Sequence, residues 1–162
     1  MNIYGSFPTV RRRRMRHDEF SRRLMREHVL TSNDLIYPVF VIEGQRRSQA
    51  VSSMPGVSRH TLDKLLPIAE RCLHLGVPVM ALFPAIEPAL KTPHGIEATN
   101  PDGLIPRVVA ALKKHFPDLG VMTDVALDPY TSHGQDGVLD ASGYILNDET
   151  LSVLERQALV QA

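Results

Sequence analysis

Three largely apolar segments alternate with segments of helical periodicity in this 162-residue sequence, and this alternation limits the possible folds more than any other feature. Unbroken apolar runs are typical of strands covered on both faces, whereas apolar residues three and four positions apart are typical of amphipathic helices. Strands that alternate with helices form parallel sheets with helical crossovers, so the sequence predicts an α/β fold. We predict strands at 35–42, 77–83 and 119–127 and helices at 61–75, 100–116 and 147–161.

Two α/β architectures fit this order of elements: a small doubly wound sheet, or the first part of a (β/α)8 barrel. A barrel needs about 250 residues and eight strands, and this sequence supplies three predicted strands. Because three strands alone make a poor sheet, we interpret the chain as part of a larger unit. The last helical pattern reaches Gln161 without a capping glycine, which also suggests an interrupted element.

Several local signals refine these predictions. Pro38 lacks an N–H group and argues against a central position for the first strand, and Pro67 should destabilise helix 61–75 or delay its start. Cys72 falls on the apolar face of that helix and is expected in the core. We also predict a helix at 18–28 with an apolar stripe formed by Phe20, Leu24 and Met25. Polar loops are expected at 43–60 and 84–99, and a short strand at 143–146. In the last helix, Leu151, Leu154 and Ala158 are expected to face inward.

The net charge is zero, but the charges are unevenly distributed along the chain. Residues 116–155 contain acidic residues and neither lysine nor arginine, whereas residues 1–26 are rich in arginine (Arg11, Arg12, Arg13, Arg14, Arg16, Arg22, Arg23, Arg26). A basic arm of this kind can bind nucleic acid, remain solvated, or dock onto an acidic neighbouring subunit. Aromatic residues do not interleave with the arginine run, so we favour assembly and expect no nucleic-acid partner.

The sequence carries few signals for a particular compartment. Cys72 is the only cysteine, which excludes an internal disulfide and fits a reducing environment. No apolar run reaches 18 residues and no apolar segment follows the arginines, so we expect neither a membrane span nor a secretory signal. An organellar transit peptide is the alternative for the arginine-rich start, but Asp18 and Glu19 come early, and we expect a cytoplasmic protein.

An acidic segment, DVALDPYTSHGQDG at 124–137, ends the third predicted strand. Functional groups collect at the carboxyl ends of parallel strands. On extended backbone Asp124, Ala126 and Asp128 would share one face, and Asp136 can return to that face through its flanking glycines. Carboxylates held close together raise one another's pKa values and attract a hard cation such as Mg²⁺. A metal site, acid–base catalysis and a solvated acidic loop all remain open.

His133 within the same segment also has two interpretations. It could serve as a general base, but a lone loop histidine is more often a hydrogen-bonded structural residue. The sequence Gly134-Gln135-Asp136-Gly137 beside it has too few glycines and too much negative charge for a phosphate-binding loop.

Several longer motifs together resemble one enzyme family. The segments DVALDPYTSHGQDG and GYILND, and also EFSRRLMRE, LIYPVFVIEG, SMPGVSR, LFP and NPDGLIPR, resemble porphobilinogen synthases, also called δ-aminolevulinic acid dehydratases. The resemblance covers nearly the whole chain. It implies a (β/α)8 TIM barrel, of which residues 31–162 would be the first three β/α units, preceded by an N-terminal arm and helix at 1–30. It also implies a homo-oligomer, commonly an octamer, in which the basic arm wraps a neighbouring subunit.

The resemblance further implies condensation of two 5-aminolevulinate molecules to porphobilinogen, with loss of two waters, in tetrapyrrole and haem biosynthesis. Asp124, Asp128 and Asp136 would be active-site carboxylates that transfer protons or orient substrate and water. In zinc-dependent relatives, cysteines stand at the positions of Ala126, Asp128 and Asp136. The resemblance is therefore to the aspartate-rich magnesium branch, with Mg²⁺ generally bound away from the chemistry, no zinc and no organic cofactor. Direct metal binding by Asp128 and Asp136 stays open.

The family also uses two lysines on later barrel strands, each of which forms a Schiff base with one substrate molecule. The lysines of this sequence lie on predicted helices or in the 84–99 loop and match no lysine motif of the family (Lys64, Lys91, Lys113, Lys114). We therefore expect the chain alone to be inactive, as the N-terminal half of the enzyme. The alternative is a truncated, non-catalytic chain that assembles with the full-length enzyme through its arm.

Overall fold

A computed structural model describes residues 5–10 and 13–162 of the chain. The chain divides into two compact units, Met1–Thr31 and Ser32–Ala162. Arg11 and Arg12 of the predicted basic arm lie outside the described residues. Among the helices of the described residues, none combines the length and the apolar character that crossing a bilayer requires.

The first unit contains two short helices held together by one arginine. Helix α1 spans Arg14–His17 and helix α2 spans Glu19–Leu24. The Arg22 guanidinium donates a hydrogen bond to the Glu19 carboxylate at 2.6 Å. It also donates to the backbone carbonyls of two α1 residues, each at 3.0 Å. These bonds satisfy carbonyl groups that the end of a short helix would otherwise leave unpaired.

The helix predicted over 18–28 is shorter in the structure, because α2 ends at Leu24. Its predicted apolar stripe is exposed: Phe20 at 66%, Leu24 at 76% and Met25 at 56%. Short helices gain most of their stability from packing an apolar face. With that face exposed, the helix does not extend to the predicted length.

The second unit is a five-stranded sheet with three long helices. The strands are β1 Ile36–Val41, β2 Ser48–Ala50, β3 Ser58–His60, β4 Val79–Pro84 and β5 Gly120–Thr123, and the helices are α3 Leu62–His74, α4 Leu104–His115 and α5 Asn147–Gln161. Three-residue and four-residue 3-10 turns occur at Ser32–Asp34, Pro88–Leu90 and Ile96–Thr99. The strand order is β2-β3-β1-β4-β5, with β2 antiparallel to β3 and all other pairs parallel. The predicted alternation and parallel sheet are confirmed.

β2 and β3 form a hairpin where the sequence predicts only a polar loop. The amides of Met54 and Val57 close its turn by donating to the carbonyls of Val51 and Met54, each at 3.0 Å. Each strand has three residues without an apolar run or an alternating pattern, so periodicity cannot mark it. The hairpin gains support from the pairing of β3 with the last two residues of β1.

Pro38 and Pro67 both lie where the sequence analysis argued against a proline, inside the sheet and inside a helix. β1 lies inside the sheet, so the expectation drawn from Pro38 is wrong. Because β3 pairs only with the last two residues of β1, Pro38 has a neighbouring strand on one side only, where it pairs with Ala81 of β4. Helix α3 begins at Leu62 and continues through Pro67, so the predicted late start is also wrong. Packing of the apolar face of α3 outweighs the lost hydrogen bond.

The hydrophobic core lies between the sheet and the helices. Cys72 on α3 is 4% exposed, which confirms its predicted place in the core. Helix α4 buries Leu104, Ile105, Val108 and Leu112, and Val109 and Phe116 are partly buried against the core. Core members from the strands and from α3 and α4 are Val39, Val41, Met80, Leu82, Leu65, Ala69, Cys72, Leu104, Ile105, Val108 and Leu112.

Element ends differ from prediction where side chains form local turns. Helix α4 begins at Leu104 because Asn100 first closes a turn, its Oδ1 accepting the Asp102 amide at 3.0 Å. The strand predicted over 119–127 ends at Thr123. The strand predicted over 143–146 is reduced to an isolated bridge between Leu139 and Ile145.

Helix α5 buries a different face from the predicted one. The buried residues are Thr150, Val153, Gln157 and Gln161. Leu151 is 56% exposed and Ala158 is exposed, whereas Leu154 packs against the core as predicted. The buried face contains three polar residues, so the apolar pattern of the sequence indicates the wrong side of this helix.

Candidate active site

The carboxyl ends of β1, β4 and β5 lie side by side, and the acidic loop 124–137 leaves the sheet from this edge. Asp124 directly follows β5. The chain then turns, because the amides of Tyr130 and Thr131 both donate to the carbonyl of Leu127 at 2.9 Å. Asp128 therefore lies in a turn, and the expectation of a shared face on extended backbone is wrong.

The turn nevertheless brings the three predicted carboxylates together. The Asp136 carboxylate accepts a hydrogen bond from the Leu127 amide at 2.6 Å, so the loop folds back onto its own beginning. Burial raises the pKa of the Asp128 carboxyl, and the nearby charges of Asp136 and Asp124 raise it further. Lys91 opposes part of this shift. The arrangement gives one carboxyl that holds its proton to a higher pH than an ordinary aspartate.

His133 fastens the acidic loop to the preceding loop. Its Nε2 donates to the Pro93 carbonyl at 3.0 Å, and its Nδ1 accepts the Gln135 amide at 3.1 Å. A carbonyl can only accept and an amide can only donate, so these bonds specify a neutral ring with its proton on Nε2. Both ring nitrogens are thereby occupied by backbone, which supports the structural interpretation of His133 over the general-base interpretation.

Two glutamines of α5 hold the first part of the loop, and sequence reasoning missed both. Gln157 is fully buried, and its amide nitrogen donates to the Ala126 carbonyl at 3.0 Å. The Gln161 amide nitrogen reaches the Asp124 carbonyl at 3.4 Å. Burial raises the pKa of the Tyr130 phenol to about 12, and a hydrogen bond with Gln157 opposes this shift. The signal available in the sequence was the four-residue spacing of the glutamines, which places them on one helix face.

Comparison with known proteins identifies the family. Residues 9–162 match the family described as delta-aminolevulinic acid dehydratase. The chain belongs to this family. It is 52% identical over 153 residues to the delta-aminolevulinic acid dehydratase of Bradyrhizobium diazoefficiens and 43% identical over 160 residues to that of Rhodobacter capsulatus. These matches cover 94% and 99% of this chain but 43% and 48% of the relatives. The chain thus spans less than half the length of these relatives.

A solved dehydratase structure has the same fold over this part of the chain. The delta-aminolevulinic acid dehydratase of Toxoplasma gondii, solved with its reaction product porphobilinogen, superimposes with a TM-score of 0.89 at 42% identity. The superposition covers 94% of this chain and 43% of that one. Of the two architectures open to the sequence, the barrel is therefore correct, and this dehydratase-family chain forms the N-terminal part of it.

The four lysines of this dehydratase-family chain lie at different distances from the acidic loop. Lys64 on α3 and Lys114 on α4 are exposed. Lys113 donates to the carbonyls of Pro117 and Leu119 at 2.8 and 3.0 Å, at the amino end of β5 and away from the candidate site. Lys91 is half-buried and faces the Asp128 charge.

The raised pKa of Asp128 gives a prediction about stability and pH. Below both pKa values the carboxyl is protonated in the folded and unfolded chain. As pH rises, the unfolded chain ionises first, so stability falls through the interval between the two pKa values and remains lower above it. We therefore expect Asp128→Asn to be more stable than the natural chain near neutral pH, with the difference vanishing in acid.

Asp140 provides a matched control, because the pKa of its carboxyl is shifted in the opposite direction from that of Asp128. Hydrogen bonds from the Ser142 hydroxyl and the Tyr144 amide lower the pKa of its carboxyl. Asp140→Asn should therefore lose stability near neutral pH, and this loss should also vanish in acid. The measurement is the free energy of unfolding in urea between about pH 3 and about pH 7. If both substitutions changed the free energy of unfolding in the same direction near neutral pH, the pKa directions assigned to Asp128 and Asp140 would be contradicted.

Proposed function

We propose that this chain provides the N-terminal half of a porphobilinogen synthase, which condenses two molecules of 5-aminolevulinate to porphobilinogen and releases two waters. The observation that carries the proposal is the group of three carboxylates at the carboxyl edge of the sheet, in a chain 52% identical to a dehydratase. Barrel enzymes place their catalytic groups at this edge. The T. gondii relative was solved with porphobilinogen, the product that we propose here.

The carboxylates have separate tasks in this proposal. Loss of water from a carbonyl adduct requires a group that gives and takes protons close to the working pH. Asp128 suits this task because its carboxyl retains a proton to higher pH than an ordinary aspartate. Asp136 has one oxygen fixed by the Leu127 amide, so it would orient substrate or water. The charge of Asp124 would add to the effects of burial and of Asp136, which raise the pKa of Asp128.

Activation of the substrate carbonyls is assigned to the remaining part of the barrel. An imine-forming lysine needs a lowered pKa, which burial or a neighbouring cation supplies. Lys64, Lys113 and Lys114 are exposed on helices, and two of them lie in the last turn of α4. We propose that the Schiff-base lysines are contributed by strands that follow this half.

We propose that the acidic loop holds no metal centre. Within residues 5–10 and 13–162, no three acidic, histidine or cysteine side chains are grouped closely enough to hold an ion. Ala126 and the aspartates offer no thiolate, which argues against zinc, and carboxylate oxygens favour Mg²⁺. We propose that Mg²⁺ acts elsewhere in the assembly, and no catalytic step is assigned to it.

Assembly is proposed to use the first unit. Arg13, Arg14 and Arg16 are exposed, and so is the apolar stripe of α2. A basic and apolar surface complements the segment 116–155, which contains neither lysine nor arginine. We propose a cytoplasmic homo-oligomer of octamer type, held in part by these contacts.

Removal of arginine charges from the first unit tests its proposed role in assembly. Combining Arg13→Gln, Arg14→Gln and Arg16→Gln in a reconstituted enzyme should lower the molar mass measured by light scattering, because three attractions between subunits are lost. The matched control changes the same three residues to lysine, which keeps the charge and should keep the mass. An unchanged mass with glutamine would refute the role of these arginines.

The experiment that tests the enzymatic proposal is formation of porphobilinogen by this chain combined with the second half of the B. diazoefficiens relative. That relative supplies the missing part of the barrel at 52% identity over the shared part, so its interface with the first half should be compatible with this chain. Porphobilinogen formation by the combined halves would support the proposal. Soluble, assembled halves without product would overturn it.

A further inference from the structure

A cavity at the carboxyl edge of the sheet is lined by basic side chains. It has a volume of about 460 Å³ and lies between the β2–β3 hairpin and the segment 84–91. Three basic side chains line it, Arg47, Arg59 and Lys91, against a single acidic one, Glu87. Pro129, which follows Asp128, also lines it. The cavity therefore adjoins the acidic loop but has the opposite charge.

Strand pairing brings two of the lining side chains to the same face of the hairpin. Gln49 of β2 and Arg59 of β3 are directly opposite each other in the antiparallel register. Side chains at opposed positions project to the same side of the sheet, about 5 Å apart at Cβ. Both contribute to the cavity wall. The hairpin thus presents a guanidinium and a neutral amide donor next to each other.

The basic groups are incompletely paired. Arg47 donates to the Glu43 carbonyl at 3.1 Å, and its guanidinium is 3.9 Å from the Glu87 carboxylate. Within the described part of the chain, the side chains of Arg59 and Lys91 form neither a hydrogen bond nor an ion pair. Both residues are half-buried. Lys91 also faces the Asp128 charge, so Arg59 is the less compensated of the two. A partly desolvated cation of this kind is costly, and an anion in the cavity would offset that cost.

We propose that this cavity binds the oxyanion group of a small molecule, a carboxylate or a phosphate. The Arg59 guanidinium can bind two oxygens at once, Lys91 contributes a point charge, and Gln49 donates a further hydrogen bond. The volume lies within the range of small-molecule sites. The inference does not depend on the condensation reaction, because binding and not turnover is measured.

The test is an amide NMR titration of the 162-residue chain with propionate and, separately, inorganic phosphate at constant ionic strength. Saturable shifts are expected at the amides of Gln49, Arg59 and Lys91. Arg59→Gln should weaken binding about tenfold or more, because a charged hydrogen bond is lost. Arg71→Gln, an exposed arginine of α3 outside the cavity, is the matched control and should not change the affinity.

Lys91→Gln is a second variant, so the test does not depend on the folding of one mutant. Unchanged chemical shifts of the α4 amides show that a variant is folded. Tighter binding of propionate would identify a carboxylate ligand, and tighter binding of phosphate would identify a phosphate ligand. Absence of saturable shifts with both anions, or equal weakening by Arg71→Gln, would overturn the proposal.

Discussion

The 162-residue chain purified by itself should form no porphobilinogen from 5-aminolevulinate, whereas the chain combined with the second half of a relative should form it. The reason is the placement of its lysines. Lys113 is bonded to two carbonyls at the amino end of β5, away from the acidic loop. Lys64 and Lys114 are exposed, so neither has the desolvated surroundings that an imine-forming amine requires.

Lys91 is the lysine to examine for an imine, because among the described residues it is the one lysine that reaches the edge of the candidate site. Borohydride reduction in the presence of 5-aminolevulinate converts a substrate imine into a stable adduct, which mass spectrometry locates. We expect adducts on the second half of the barrel and none on this chain. Lys91→Arg, which keeps the charge but cannot form an imine, should leave adduct formation by the combined halves unchanged.

Two outcomes would contradict the expectation in different ways. Turnover by the chain alone would show that the chemistry needs no further lysine. An adduct on Lys91 that disappears in Lys91→Arg would place carbonyl activation in this half. A third measurement, the same assay with the second half alone, shows whether the first half is required at all.

The elements with apolar signals were predictable from the sequence, and those that depend on tertiary pairing were not. β1, β4 and β5 are apolar runs, and α3 and α4 have clear apolar faces, so each is visible in the sequence. The β2–β3 hairpin has no such pattern, because it is held by the edge of β1. Pro38 is misleading for a related reason: the sequence cannot show that β3 is too short to reach it.

The candidate site shows the same division. The three aspartates were identified from their spacing and from a family motif, and the structure places them around one turn. Their predicted arrangement on extended backbone was wrong because the turn at Leu127 depends on backbone hydrogen bonds that residue type alone does not specify. The glutamines of α5 were missed because buried polar residues interrupt the apolar period. The catalytic roles of the three aspartates stay a prediction.

Gln157 should be the residue on which the position of the acidic loop most depends. Its amide nitrogen donates to the Ala126 carbonyl at 3.0 Å, and its side chain lies beside the Tyr130 phenol. Its own oxygen has no hydrogen-bond partner within the described residues. Gln157→Leu keeps the volume but leaves the Ala126 carbonyl unpaired in a nearly closed environment, with Ala126 9% exposed. We expect the free energy of unfolding to fall by about 1–3 kcal/mol. Removal of the unpaired Gln157 oxygen makes this loss smaller than the unpaired carbonyl alone would cause.

Hydrogen exchange separates a loop anchor from a simple core residue. If Gln157 anchors the loop, Gln157→Leu should accelerate exchange of the Leu127, Tyr130 and Thr131 amides by more than the loss of global stability requires, because their turn opens locally. Leu159→Ala, at a position of α5 that is 71% exposed, is the matched control and should change stability by less than about 0.5 kcal/mol. If exchange in the turn follows global stability alone, the glutamine contributes only to packing, and the acidic loop holds its shape through the bond between Asp136 and the Leu127 amide.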